Sequence, residues 1–247
     1  TWLRKVVQNA PVVVNVLLMG VLLAVGTFGF WRLGVALLPL AWTQYSLPLI
    51  VLAVVGVLYS AIVAAAQRNI KMILTFAAIS HAGFILIGMA LATPDTLNGA
   101  LLQTLCDGIN FGALFLMVAM LADRGIGASF EALGGLARQL PYLAGYFLLV
   151  AFAVMGLPGL NSFVAEFLIL LELFKVHWFW AVLASTALIW GAVYMLGMVR
   201  QIFWGAVKDE SRVLRDLNLR EHLVLLPLVV LVFGLGIFPN FLLERFL

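Results

Sequence analysis

Residues 141–174 read PYLAGYFLLVAFAVMGLPGLNSFVAEFLILLELF. A helix that crosses about 30 Å of hydrocarbon needs about 20 mostly apolar residues, so this stretch is much longer than one straight span. Gly156-Leu157-Pro158-Gly159 lies in its middle, and Glu166 follows shortly after. Proline removes an amide donor and glycine loosens the backbone, so we expect the helix to break there. Broken helices at membrane depth are typical of ion and solute pathways. A simple proline kink is the alternative.

The composition of the whole chain is that of a membrane protein. Of its 247 residues, 65% are hydrophobic and 10% are charged, against about 45–50% and about 25% in a soluble domain. These values exclude a soluble enzyme, a disordered regulator and a nucleic-acid-binding protein. The net charge of +3 is too small to indicate a polyanion partner. We therefore expect the lipid bilayer as a partner and no nucleic acid.

Seven apolar stretches of membrane-spanning length follow one another. They cover residues 12–38, 47–66, 71–92, 99–122, 142–174, 178–204 and 222–243. All are far longer than the roughly ten-residue alternating segments of a membrane β-barrel. A helical bundle is the other architecture that satisfies every backbone amide in lipid. The sequence therefore predicts an all-α membrane protein with about seven transmembrane helices, one of them broken in mid-membrane.

The basic residues predict the orientation of the chain. With seven spans, eleven Lys and Arg residues fall on one side of the membrane and three on the other. The positive-inside rule then places the amino end and the loop Lys208–Glu221 in the cytoplasm and the carboxyl end outside. The chain begins with Thr1 rather than Met and shows no signal peptide, so we expect part of a longer chain to be missing.

Three ionisable residues fall well inside the predicted spans: His81, Asp107 and Glu166. A charge in mid-membrane costs several kcal/mol, so such residues usually mark a pathway. At about 1.5 Å per residue, His81 lies roughly 15 Å along its helix from Lys71, near the bilayer centre. The burial of His81, Asp107 and Glu166 in apolar spans predicts a proton relay.

A structural interpretation of the same residues stays open. His81 would then be a neutral histidine that is hydrogen-bonded to a neighbouring helix. Asp107 would pair with Asn110, with Asn15 or with a lysine of another subunit. Lys71 would extend its ammonium group to the interface. Glu166, beside the helix break, is the residue least easily explained by a structural role.

Cofactor motifs are absent from the sequence. No Cys/His cluster has the spacing of a metal or iron–sulfur site, and no glycine-rich loop joins a strand to a helix. Cys106 is the single cysteine and has no disulfide partner in the chain. We expect no cofactor and no metal in this chain.

A series of motifs identifies a family. In chain order these are Gly20-Val21-Leu22-Leu23, Ala66-Gln67-Arg68-Asn69-Ile70-Lys71, Ile79-Ser80-His81-Ala82-Gly83-Phe84, Gly134-Gly135-Leu136-Ala137 and Gly156-Leu157-Pro158-Gly159-Leu160-Asn161-Ser162-Phe163-Val164-Ala165-Glu166-Phe167. The series resembles the antiporter-like membrane subunits of the complex I family, and the M type most closely. Membrane hydrogenases, Mrp antiporters and inorganic-carbon transport complexes contain related subunits.

The resemblance implies a division of the chain. Members of the family typically have fourteen helices, with two inverted five-helix repeats. Residues 1–46 would then end the first repeat with one span, residues 47–205 would form the second repeat, and residues 206–247 would supply a cytoplasmic loop and the last span. This chain would correspond to the carboxyl-terminal half of the fold.

The resemblance also implies roles for individual residues. Glu166 matches the terminal acid of the broken helix, His81 the histidine of an earlier helix, and Lys71 the basic residue that begins that helix. Asp107 lies where the family usually has a lysine or histidine. Ala24 lies where the family usually has a central lysine, and alanine cannot hold a proton.

We therefore expect a proton-translocating, non-redox subunit of an NADH–quinone oxidoreductase-type translocase in a bacterial cytoplasmic membrane. Its partners would be other membrane subunits, including antiporter-like neighbours. The alternative, which Ala24, Arg4-Lys5 and Asp107 favour, is a non-conducting scaffold in a membrane hydrogenase, an inorganic-carbon transport complex or a split complex I. A stand-alone cation antiporter is disfavoured because alternating access usually needs both repeats.

Overall fold

The computed structural model describes residues 2–207 and 213–246, and in these ranges it contains helices and no β-strand. The α-helices are α1 Trp2–Asn9, α2 Val12–Leu17, α3 Leu23–Gly29, α4 Pro39–Gln44, α5 Ser46–Ala65, α6 Ile70–Leu91, α7 Pro94–Asp123, α8 Pro141–Val154, α9 Asn161–Phe203, α10 Leu219–Ile237 and α11 Asn240–Phe246. Two π-helical segments, Leu18–Leu22 and Phe30–Val35, continue α2 and α3 into one span, Val12–Val35, which we call the first span. A 3₁₀ turn covers Leu136–Arg138.

The long apolar helices account for the predicted spans, with α9 containing parts of two of the predicted apolar stretches. In the described ranges six helices are long and apolar enough to cross a membrane, and α8 is a shorter apolar helix. The longest, α9, has 43 residues and contains one non-helical residue, His177, at φ −142° and ψ 73°. It is therefore two helices, residues 161–176 and 178–203. The prediction of an all-α membrane protein is confirmed.

The chain reverses direction at His177. Tyr194 lies close enough to Glu166 and Asp107 to interact electrostatically with both. A continuous helix would separate residues 166 and 194 by about 42 Å, at 1.5 Å per residue. The second half of α9 therefore runs back beside the first half and reaches the depth of Glu166.

The predicted helix break is a complete interruption and not a kink. α8 ends at Val154 and α9 begins at Asn161, so six residues between them are non-helical. Gly156 and Gly159 have φ values of +68° and +91°, a left-handed conformation that residues with a Cβ rarely adopt. The glycines turn the chain, and Pro158 prevents it from continuing as a helix.

Local capping defines the α6–α7 pair. The Asn69 side chain accepts a hydrogen bond of 3.0 Å from the Lys71 amide at the start of α6. Ala92 ends α6 in the left-handed region, at φ 53°. Thr93 and Thr96 then form a capping box that starts α7. Because this connection is so short, the two helices run antiparallel, and residues equally far from it lie side by side.

The packed core lies around α6, the most enclosed of the membrane-spanning helices. The first span and α10 are the least enclosed, so their apolar faces are available to lipid or to neighbouring subunits. Large fully buried side chains such as Phe111, Phe147 and Phe203 fill the centre of the bundle. Residues 208–212 of the loop predicted to be cytoplasmic lie outside the described residues.

Candidate functional site

One face of α7 is polar in the middle of the apolar bundle. Gln103, Asp107 and Asn110 follow one another at spacings of four and three residues, so their side chains share a face. All three are buried. The antiparallel α6 places His81, twelve residues before Thr93, opposite this face. Three helices therefore direct polar groups to one point, because Glu166 of α9 reaches it from the third side.

The central cluster consists of His81, Gln103, Asp107 and Glu166. His81 Nδ1 lies 3.0 Å from Asp107 Oδ1. Gln103 Nε2 lies 3.0 Å from His81 Nδ1 and 3.0 Å from Asp107 Oδ1, so the three atoms form a triangle. Glu166 Oε1 lies 3.5 Å from Gln103 Nε2 and 3.7 Å from His81 Nδ1. The predicted relay residues His81, Asp107 and Glu166 are thus in direct reach of one another.

The helix break makes room for Glu166. A Cβ atom on Gly156 would lie 2.5 Å from Glu166 Oε2, which is closer than non-bonded atoms approach. Gly156 therefore serves two needs at once, the left-handed backbone and the space for the carboxylate. Glu166 itself is 4% exposed, so its environment is protein and not the headgroup layer.

A second polar set holds the start of α9 against α7. Asn110 and Asn161 exchange two side-chain hydrogen bonds of 3.1 Å. Asn110 also donates to Ser162 Oγ at 3.0 Å, and the Cys106 thiol donates to the Asn161 carbonyl at 3.4 Å. These bonds satisfy the buried polar side chains of Asn110, Asn161 and Ser162. They fix the position of the segment that carries Glu166.

The structure separates Lys71 from the cluster and shows which residues of this chain contact Asp107. Lys71 lies in the first turn of α6, ten residues and about 15 Å from His81. The Asp107 partners are His81 and Gln103, and not the asparagines considered from the sequence. Asn110 pairs with α9 as described, and Asn15 donates to the Val7 carbonyl at 3.0 Å.

Gln103 is the member of the cluster that sequence reasoning missed. It is fully buried, and its Oε1 atom has no hydrogen-bond partner among the described residues. Glutamine has no ionisable group, so it does not stand out among the charged residues of the spans. The available signal was its position, one turn before Asp107 on the same helix face.

A cavity of about 490 Å³ lies between the first span and the α6–α7 pair. Ala24 and Asp107 both line it, together with Thr104 and Phe111. Position 24, where the resemblance implies a lysine, therefore lines the same space as the acid of the central cluster. In this chain the cavity walls are otherwise mostly apolar.

A second ionic group lies at the far end of α7, which we call the loop clamp and define as Arg124, Asp216 and Glu221. Two guanidinium nitrogens of Arg124 donate to the two oxygens of Glu221, both at 2.8 Å. Hydrogen bonding to Glu221 raises the pKa of Arg124. Asp216 accepts hydrogen bonds from the amides of Tyr142 and Leu143. The hydrogen bonds of the loop clamp connect α10 and its preceding loop to α7 and α8.

Metal binding finds no support in the described ranges, where no group of three or more His, Cys, Asp and Glu residues could hold a metal ion. The chemistry open to the cluster is proton exchange among a histidine, two acids and an amide. These groups come from three helices and lie deep inside a bundle that spans the membrane.

Comparison with known proteins gives the family. The sequence matches the family described as NADH:quinone oxidoreductase/Mrp antiporter, TM, over residues 1–190. The chain belongs to this family. It is 35% identical over 247 residues to NADH-quinone oxidoreductase subunit M of Rickettsia prowazekii, covering 100% of this chain and 50% of that protein. The corresponding subunit M of Mycobacterium tuberculosis is 36% identical over 239 residues, covering 97% of this chain and 43% of that protein.

Solved structures of this antiporter family share the fold. A chain of respiratory complex I from Thermus thermophilus superimposes with a TM-score of 0.83 at 33% identity, over 88% of this chain and 46% of that chain. A chain of the Mrp complex from Dietzia sp. DQ12-45-1b gives 0.74 at 22% identity, over 82% of this chain and 46% of that one. The chain thus spans about half the length of the relatives it matches. The resemblance drawn from the motifs, including the M type, is confirmed, and the chain is a multi-pass membrane protein.

Proposed function

We propose that this chain carries protons as part of an antiporter-like membrane subunit of a complex I-like NADH–quinone oxidoreductase in a bacterial cytoplasmic membrane. The observation that carries the proposal is the central cluster. Four buried polar side chains from three helices meet beside a helix break, and three of them can bind or release a proton. The family and the relatives, which are subunits M, support the same activity.

Each group has a defined part in the proposed path. Glu166 accepts the proton at the exit side or at the boundary to the next subunit. His81 and Asp107 relay it, directly across their 3.0 Å contact or through ordered water. Lys71, at the start of α6, stands at the entry to the path. Each transfer moves one proton from a donor to an acceptor, and no group needs a redox change.

Coupling follows from the cost of charge in the membrane interior. A buried carboxylate changes its affinity for a proton when a nearby charge appears or disappears. A charge that moves in a neighbouring subunit would therefore cause Glu166 to take up or release a proton. We propose that the redox chemistry occurs in other subunits and that this chain binds no redox cofactor. Neighbouring antiporter-like subunits are the proposed partners.

The distribution of basic residues supports a proposed orientation. Eleven lysines and arginines fall on the side of the amino end and three on the other. The amino end of this chain then faces the cytoplasm and the carboxyl end faces outward. In this orientation the loop clamp lies on the cytoplasmic side, and α6 runs from the cytoplasmic entry toward the cluster.

A second candidate function is a non-conducting scaffold. The observation in its favour is Ala24, which leaves the cavity beside Asp107 without a basic side chain. Water would have to bridge that gap, or another chain would have to supply the base. The cluster itself argues against the scaffold, because packing alone does not require a histidine and two acids in mid-membrane.

The experiment that separates the two functions replaces Glu166 with Gln in the assembled complex. We expect proton uptake by membrane vesicles to fall by about a hundred-fold, the lower end of the range for removing a proton-transfer group. Glu172→Gln is the matched control. It makes the same change on the same helix, and its partner is Lys175 near the turn at His177. If Glu166→Gln and Glu172→Gln gave the same proton uptake per electron, Glu166 would be excluded from the path and the scaffold function would be favoured.

A further inference from the structure

The Gln103 amide has more acceptors around it than it has hydrogens. Its Nε2 group carries two hydrogens. Three acceptor positions surround it: His81 Nδ1 at 3.0 Å, Asp107 Oδ1 at 3.0 Å and Glu166 Oε1 at 3.5 Å. At any moment one of the three must do without a hydrogen bond from this amide.

The protonation state of His81 decides which acceptor is left out. When Nδ1 carries a proton, it is a donor and bonds to Asp107 Oδ1, so it cannot accept from the amide. The two amide hydrogens then go to Asp107 and Glu166. When Nδ1 has lost its proton, its lone pair accepts one amide hydrogen. Asp107 takes the other, and Glu166 loses its donor.

The oxygen of the Gln103 amide does not restrict rotation of the side chain. Gln103 Oε1 is buried and has no hydrogen-bond partner among the described residues. The side chain is therefore positioned by the bonds that its nitrogen makes. A small rotation exchanges the acceptor at 3.0 Å for the one at 3.5 Å.

The titratable groups of the cluster and those that interact with its acids belong to α6, α7 and α9. His81 belongs to α6, Asp107 and Cys106 to α7, and Glu166 and Tyr194 to the two halves of α9. Tyr194 and Cys106 interact electrostatically with both acids, but a phenol and a thiol are neutral near pH 7 at their reference values. The exchangeable charge is thus confined to His81, Asp107 and Glu166.

We propose that Gln103 is a positioning residue that links the protonation of Glu166 to that of His81. When His81 Nδ1 gives up its proton, one amide hydrogen turns from Glu166 to the ring, the carboxylate loses its stabilising donor, and Glu166 takes up a proton. The reverse change returns it. One proton is lost at the ring and one is gained at the carboxylate, so the total charge of the cluster is unchanged. This inference rests on the proposed function, in which both groups carry protons.

The test is an equilibrium titration of Glu166 by infrared spectroscopy in the purified complex. The carboxylic C=O band that disappears in Glu166→Gln reports protonated Glu166. His81→Gln replaces the ring by an uncharged side chain whose amide oxygen can accept the hydrogen that deprotonated Nδ1 accepts. Its effect on this band is measured in the parent and in Gln103→Met, which keeps the length of the side chain but has no donor. In the parent we expect the midpoint of the band to move by about one pH unit, the size expected for one hydrogen bond to a charged group. In Gln103→Met we expect less than half of that displacement.

Equal displacement in both backgrounds would overturn the proposal, because Gln103 would then only fill space. Leu102→Met is the matched control, since it introduces the same residue at the adjacent buried position. We expect it to behave as the parent. If Gln103→Met reduces assembly, Gln103→Leu provides a second donor-free variant with the same expected loss. The titration needs no turnover, so its result stands apart from the proton-uptake test of the proposed function.

Discussion

The central cluster and the loop clamp are both partly or fully buried ionic groups, but they differ in how completely their hydrogen bonds are satisfied. All five N–H donors of Arg124 have acceptors: both oxygens of Glu221 and the backbone carbonyls of Met120, Arg215 and Asp216. In the central cluster three acceptors compete for two amide hydrogens, and one amide oxygen has no partner among the described residues.

The difference indicates two kinds of buried ionic group. A network in which every donor and acceptor is paired has one low-energy arrangement, so it stabilises the fold and resists change. A network with fewer donor hydrogens than acceptors has several arrangements, which differ in the position of one proton. We therefore expect the clamp to contribute to stability and the cluster to contribute to transport, and the two effects to be separable by mutation.

The largest expected effect is on the cluster, from Gly156→Ala. The added Cβ would lie 2.5 Å from Glu166 Oε2, so the carboxylate has to move away from His81 and Gln103. A displacement of about 1 Å can cost about a hundred-fold in a proton-transfer step. We expect a corresponding loss of proton uptake by vesicles that contain the assembled complex.

Gly159→Ala is the control for backbone strain. Gly159 also has a left-handed conformation, at φ +91°, but a Cβ there would meet no atom within 4 Å. Both alanine variants bear the left-handed cost of roughly 1–2 kcal/mol. If Gly159→Ala lost as much proton uptake as Gly156→Ala, strain at the break would explain the loss and contact with Glu166 would not.

The next effect is on the clamp, from Arg124→Gln. Removing the guanidinium leaves Glu221 without its bidentate partner, and we expect a loss of about 2 kcal/mol of stability. Thermal unfolding of the purified protein measures it, with exposed Arg138→Gln as the control. Proton uptake per assembled complex should stay near the parent value. A large loss of uptake without a loss of stability would show that the clamp belongs to the path.

This stability contribution should not depend on pH in the working range. The pKa of Arg124 is raised in the folded protein by its hydrogen bonds to Glu221, so its contribution is fully present at neutral pH and is lost only at strongly alkaline pH. Equal destabilisation at pH 6 and pH 8 is therefore expected for Arg124→Gln. A strong difference between the two would assign the effect to another titrating group.

The smallest effect is expected from Ala24→Lys. The new ammonium group would enter the cavity that Asp107 lines and would place a protonatable group between the first span and the cluster. We expect proton uptake to rise, by less than the change for Gly156→Ala, with Ala24→Met as the uncharged control. No effect of the lysine on transport or on assembly would support the scaffold function.

The sequence was sufficient to predict the helices and the break because both follow from composition. Apolar runs of membrane length and the Gly-Leu-Pro-Gly segment act locally, and the structure has the interruption between Val154 and Asn161. Helix rise also predicts that His81 and Asp107 lie well inside their spans, and both are buried in the bundle. The expectation that they relay protons remains a prediction.

Direct contact among these groups could not be read from the sequence. It depends on the short α6–α7 connection, on the depth at which α9 restarts and on the turn at His177 that brings Tyr194 back to the cluster. Gln103 was missed because its importance lies in the geometry of three neighbours and not in its own charge. The π-helical segments of the first span likewise have no proline or other marker that announces them.

The most direct test of the central claim is an infrared difference spectrum of the assembled complex at rest and during NADH–quinone turnover. The central claim is that Glu166 changes its protonation state as protons cross the membrane. We predict a carboxylic C=O band that changes on turnover in the parent and in Glu172→Gln and is absent in Glu166→Gln. A turnover spectrum that is identical in Glu166→Gln and the parent would contradict the claim.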